Sequence, residues 1–185
     1  MGHKYSHDQI LGAAVRVAAS SGLNGLSFRL VAEEVGTSDR VIIYYFGEKS
    51  QLLTAILGHV GEKLKAMLAV TLPSSRPGSA SRLDVLIAAR QTFADPNAAQ
   101  ATRLFLEAVG LSIAGTEPYS SLVPQLLQGW IAWLDEQMGT DGARSSEAAA
   151  IVALVEGLLI IGLLLGPDSE SAAWDVAIGQ ARKST

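Results

Sequence analysis

The chain reads as an all-α protein, with three short N-terminal helices, a long connecting helix and about five longer helices behind it. Three observations lead there. Apolar residues recur three and four positions apart almost throughout. No stretch alternates apolar and polar β-branched residues as a half-buried strand would. Gly, Pro and capping residues separate the periodic segments, at positions that start and stop helices. The chain has 185 residues, 49% of them hydrophobic and 17% charged. That is enough apolar surface for a sizeable core and too much for a disordered polymer. The length favours one domain or two small ones.

Each element follows from local signals. Ser6 caps a first helix over His7–Ala19, whose stripe is Ile10, Ala14, Val17 and Ala18, and Gly22 is its stop signal. A short second helix begins after Ser27 and ends near Gly36; a third runs from Ser38 to Tyr45. Gly47-Glu48-Lys49 opens the long helix, with apolar positions from Leu52 to Leu68. The Pro/Ser/Gly-rich stretch 73–80 reads as a loop. Helices are then expected over 81–94, 97–114, 119–138, 145–165 and 169–182, bounded by Asp95-Pro96, Glu117-Pro118, Gly139–Gly142 and Gly166-Pro167. No internal repeat is present.

Composition removes several function classes. With no cysteine, disulfides, thiolate zinc sites, iron–sulfur clusters and cysteine nucleophiles are excluded. The N-terminus lacks the basic-then-apolar layout of a secretory signal. His3 and His7 are spaced i, i+4, but a chain start frays, and no metal or other cofactor is expected. No Gly-x-Ser-x-Gly elbow, His-Glu-x-x-His helix or phosphate-binding Gly-rich loop occurs, so catalysis is not expected. Residues 1–65 carry seven Lys/Arg against six Asp/Glu, a net +1, and residues 66–185 carry seven against twelve, a net −5. Charge alone therefore does not point to nucleic acid. Ala148–Leu165 holds one charge, Glu156. A membrane span needs about 20 apolar residues, and a carboxylate near its centre costs roughly 2.5–3.5 kcal/mol. Neither a Lys/Arg cluster nor an aromatic belt flanks the stretch, so the expectation is a helix covered by protein on all sides and no membrane contact.

Ser27–Leu53 is the informative segment. Two short helices crossing steeply need a small residue at the crossing, and Ala32 supplies it. The chain must then reverse within a few residues, which Gly36 allows, and the next helix needs a cap, which the Ser38 hydroxyl offers. Phe28, Val31, Val35 and Ile42 line the inside of the corner. This is a helix-turn-helix pattern. With Gly25–Ser27, Gly36-Thr37-Ser38, Tyr44-Tyr45-Phe46 and Lys49 followed by Leu52-Leu53, residues 6–53 resemble the TetR/AcrR family of transcriptional regulators. Leu104–Ala108 and Leu154–Leu158 are similar, more weakly, to pieces of that family's variable C-terminal domain. Arg40 stands where members commonly have a small residue and Ile43 where they have Tyr; Asp39 is also unusual.

The resemblance implies a DNA-binding domain over 1–48 and an effector-binding and dimerisation domain over 49–185. It makes Ser38–Tyr45 the recognition helix, with its N-terminal residues toward base edges. Arg40 then reads guanine through two hydrogen bonds, or is a surface residue paired with Asp39 or Glu34. Asp39 accepts from a cytosine amino group or orients Arg40, and Val41 touches a thymine methyl. Tyr44 and Tyr45 offer hydroxyls to phosphate or pack as core aromatics. Ser27, Arg29 and Lys49, at helix N-termini, are the expected phosphate contacts. The implied partners are double-stranded operator DNA, a second copy of the chain and a small-molecule effector, in the cytoplasm, with repression as the family's usual mode. A helical protein-interaction module without DNA binding is the competing reading.

For the effector, bulky apolar groups at Met67, Phe93, Phe105, Val109, Trp130 and Trp133 are candidates, each also explicable as packing. Arg103 and Glu107, spaced i, i+4, read as a ligand-orienting pair or a surface ion pair. For the dimer, the 145–165 helix is apolar on two faces and so calls for two packing partners. Ile151, Val155, Leu158, Leu159 and Gly162, with Val176 on the last helix, are the expected interface.

Overall fold

In the computed structural model, residues 5–72, 78–139 and 145–183 are described. Among them are nine helices and no strand: α1 (His7–Gly25), α2 (Phe28–Val35), α3 (Asp39–Phe46), α4 (Lys49–Thr71), α5 (Arg82–Phe93), α6 (Pro96–Ile113), α7 (Tyr119–Met138), α8 (Ser145–Leu165) and α9 (Pro167–Lys183). His3 and most of the 73–80 and 139–142 connections lie outside the described residues. The chain groups into two compact units. One holds residues 1–63 with 100–126; the other holds 64–99 with 127–185.

In the first unit, α1 starts in a reciprocal cap. The Ser6 hydroxyl accepts from the Gln9 amide, and the Gln9 side chain accepts from the Ser6 amide. Ile10, Ala14 and Ala18 are buried. The helix does not stop at Ala19; it continues to Gly25 across a break at Gly22, whose φ of 74° and ψ of 166° are not helical. Next, α2 packs on α1 and α3 on α2. Ala32 is buried under the crossing, Val31 and Ile42 are fully buried in the corner, and Phe28 and Val35 are half-buried. Gly36 takes the left-handed conformation at φ 78° and donates its amide to the Ala32 and Glu33 carbonyls, ending α2. Ser38 occupies the N-cap position of α3, but its hydroxyl makes no capping bond, contrary to expectation, and remains on the surface. Leu52, Leu53 and Ile56 of α4 complete the buried set.

In the second unit, α5, α8 and α9 pack against one another. Their shared core holds Leu86, Ala89, Ile151, Val155, Leu158, Leu159, Trp174 and Ile178, joined by Leu68 of α4 and Leu134 of α7. Ser81 and Asp84 form the cap of α5. Gly166 at φ 91° and Pro167 turn the chain directly into α9. Arg90 of α5 grips α9 at Asp175 (2.6 Å) and Ser171 (3.0 Å). This packing corrects the expected subunit interface. Ile151, Val155, Leu158 and Leu159 face the unit's own core, and Gly162 accommodates Glu170 of α9. The face left outside consists of Ala150, Ala153, Gly157, Ile160 and Leu164, with Val176 exposed on α9. Among the described residues α8 is the one helix long and apolar enough to cross a membrane.

Candidate nucleic-acid interface

The helix α3 is two-sided. Ile42 and Phe46, four apart, are buried, while Asp39, Arg40, Ile43 and Tyr44 form the opposite face, with Tyr44 70% and Ile43 46% exposed. An eight-residue helix is not stable alone; the buried pair holds it in the corner set by Gly36, which leaves the other face free to meet a partner. Arg40 makes no ion pair among the described residues, and Glu34, one of its two candidate partners, is taken by Arg16 at 2.9 Å. Val41 is half-buried beside them.

The two tyrosines part company. Tyr44 projects outward, its ring edge-on to Tyr45 at 5.4 Å. Tyr45 is half-buried and donates its only hydroxyl proton to the Tyr5 carbonyl at 2.6 Å, so it has none left for a phosphate. The expected Tyr45 phosphate contact is therefore corrected: Tyr45 anchors the start of the chain. Tyr5 in turn donates to the Gly36 carbonyl at 3.1 Å, and the His7 ring lies 4.9 Å from Phe46. These N-terminal groups brace the turn and α3, and sequence reasoning missed them. The available signal was an aromatic residue just before the Ser6 cap, where a side chain commonly folds back.

The remaining predicted contacts surround α3. Ser27 caps α2, its hydroxyl accepting from the Leu30 amide at 3.3 Å. Arg29 is exposed and leans on Glu33 at 3.3 Å. Lys49, exposed at the start of α4, donates to the Asn24 carbonyl at 3.4 Å, which ties it to the segment after the α1 break. That segment meets α6. Glu107 does not pair with Arg103 as expected; its carboxylate accepts from the Leu23 amide at 2.9 and 3.0 Å and from the Asn24 amide at 3.4 Å. Burial, with the nearby Glu107 charge adding to it, lifts the Tyr119 phenol above its usual range.

Of the expected effector contacts, Phe105 and Val109 belong to the first unit, and Met67, Phe93, Trp130 and Trp133 to the second; all are half-buried. Trp130 and Trp133 meet edge-on at 5.7 Å, and the Lys65 ammonium lies 5.8 Å from the Trp130 ring centre. No group of three His, Asp or Glu able to hold a metal occurs among the described residues.

A helical corner braced from behind, with an exposed arginine and tyrosine on its second helix, is the arrangement of a helix-turn-helix. The comparisons make this specific. Residues 10–56 match the family described as bacterial regulatory proteins, tetR family. The transcriptional regulator BetI of Burkholderia ambifaria is 32% identical over 81 residues, covering 44% of this chain and 42% of that protein. The chain thus matches less than half the length of that curated relative. Across the whole fold, a transcriptional regulator from Rhodococcus sp. Rha1 superposes with a TM-score of 0.75 at 22% identity, covering 97% of each chain. The multidrug binding protein EbrR, complexed with imidazole, gives 0.72 at 23% identity over 97% of this chain and 96% of that one. Residues 10–56 thus carry a likeness to the tetR family of bacterial regulatory proteins, and the described fold as a whole is shared with these solved structures.

Proposed function

We propose that the chain binds a palindromic operator as a homodimer in the cytoplasm, represses transcription there, and is released by a small hydrophobic effector. The observation that carries this reading is the exposed face of α3. Asp39, Arg40, Ile43 and Tyr44 point away from the core, and Arg40 has no competing ion pair among the described residues. A guanidinium free of local partners suits the two-acceptor edge of guanine, and Lys49 suits a phosphate. Asp39 suits a cytosine amino group, Val41 a thymine methyl, and Ser27, Ser38 and Arg29 the flanking backbone.

The homodimer rests on the apolar face that α8 and α9 leave outside, from Ile160 and Leu164 to Val176. A two-fold pair reads two half-sites at once, which is how one short helix achieves tight binding. For α8, covering by a second copy is the reading in preference to membrane insertion. The effector reading draws on the structural likeness to EbrR, whose structure contains imidazole, and on the half-buried aromatic pair Trp130 and Trp133, with Met67 and Phe93 of the same unit as further contacts.

Selection of genomic fragments by the purified protein tests the function directly. A palindromic consensus whose binding falls steeply as salt rises supports the reading. Salt-insensitive binding, or none to any duplex, overturns it in favour of a protein-interaction module.

A further inference from the structure

The carboxylate of Glu107 bridges two distant parts of the chain. It lies on α6, yet its partners are backbone amides 83 and 84 residues earlier in the chain. Gly22 creates the need for it. Once the backbone leaves helical geometry there, the following amides lose their acceptors one turn back and must find others. Glu107 meets the Leu23 amide with both oxygens and the Asn24 amide with one. Bonds of this kind to an ionised acceptor are roughly twice as strong as neutral ones. Gly22 is fitted to this arrangement twice over: its φ of 74° disfavours other residues, and a Cβ there would stand 3.1 Å from the carboxylate.

The clamped segment leads straight to the DNA-facing groups. Asn24 presents the carbonyl that receives the Lys49 ammonium. Leu23 and Leu26 are buried on either side, and Ser27 follows as the cap of α2. We propose that Glu107 is a positioning residue for phosphate binding. Its carboxylate fixes the Gly22–Asn24 turn, and the turn aims Lys49 and sets the start of α2. The inference rests on the DNA-binding reading above and adds that a residue of α6 controls backbone grip while leaving base preference alone.

The test compares wild type, Glu107→Ala, Glu107→Gln and Arg103→Ala on the selected duplex and on a scrambled one, across a salt series. Glu107→Ala should lose about tenfold in affinity on both duplexes alike. The slope of log affinity against log salt should become shallower by about one contact. Glu107→Gln keeps an acceptor oxygen and should fall between; Arg103→Ala should match wild type. Amide hydrogen exchange at Leu23 and Asn24 should speed up in Glu107→Ala, without the general acceleration that a misfolded variant would show. Should the alanine variant unfold, the glutamine variant carries the same three readouts. Wild-type affinity and slope in a folded Glu107 variant overturn the proposal, as do unchanged Leu23 and Asn24 exchange or a loss confined to one base pair. If wild type itself binds no duplex, the DNA reading fails, and the exchange measurement still decides whether Glu107 holds the turn.

Discussion

Arg40 and Lys49 are both exposed cations, and their local surroundings differ. Arg40, on the first turn of α3, has no local acceptor among the described residues, whereas Lys49 is held by the Asn24 carbonyl. Arg40→Ala should cost roughly 1–3 kcal/mol on the cognate duplex and relax preference at one base pair. Lys49→Ala should weaken cognate and scrambled duplexes together and reduce the salt slope by about one. Titrations of both variants on both duplexes separate the two roles, and equal uniform losses would remove Arg40 as a base reader. The corner that exposes these residues was legible in the sequence because it is written locally: Ala32, Gly36 and Ser38 lie within seven positions, and Ala32 and Gly36 each answer a steric need. Glu107 and Tyr5 were not legible. Glu107 has Arg103 one turn away, so spacing implied an ion pair, while its real partners are set by tertiary packing. Tyr5 likewise bonds Gly36, thirty-one positions on.

At the scale of elements, helix boundaries followed the caps closely, because Ser6, Ser81 and Gly166-Pro167 impose them locally. Periodicity failed on α8, where apolar residues occupy almost every position and no stripe marks the core side. Only the packing of α5 and α9 distinguishes Ile151 and Val155, buried, from Ile160 and Leu164, exposed. Glu156 interrupts that helix half-buried, and burial pushes its carboxyl above the ordinary carboxylate range. An acid with a raised folded pKa holds its proton more tightly folded than unfolded, so its contribution to stability is lost as pH rises from the unfolded pKa through the folded one. Glu156→Gln should therefore melt with wild type near pH 4 and above it at pH 7; thermal melts across about pH 4–8 check this, and a constant difference would contradict it. In α4, Gly58 interrupts a long helix, and a Cβ there would meet nothing within 4 Å. Gly58→Ala should stabilise the protein by about 0.5–1 kcal/mol in chemical denaturation.

For the whole molecule, the decisive question is what covers α8 and α9. Leu164 is 77% exposed and Val176 61%, beside the small residues Ala150, Ala153 and Gly157, which permit close approach of another helix. Apolar groups so placed contribute little to the fold of a single copy, so changing them tests assembly separately from folding. Leu164→Glu and Val176→Glu should each leave helicity and melting of the isolated protomer nearly intact. Placed across a two-fold axis, either change sets like charges from both copies in one apolar contact, where desolvation and repulsion act together. Sedimentation at micromolar concentration should show a dimer for wild type and a shift toward monomer for both variants. On DNA, the same variants should bind a palindrome only as weakly as a single half-site, since the second reading helix is no longer held in step. An unchanged mass, together with undiminished binding to the full palindrome, would show that the subunits pair through some other surface.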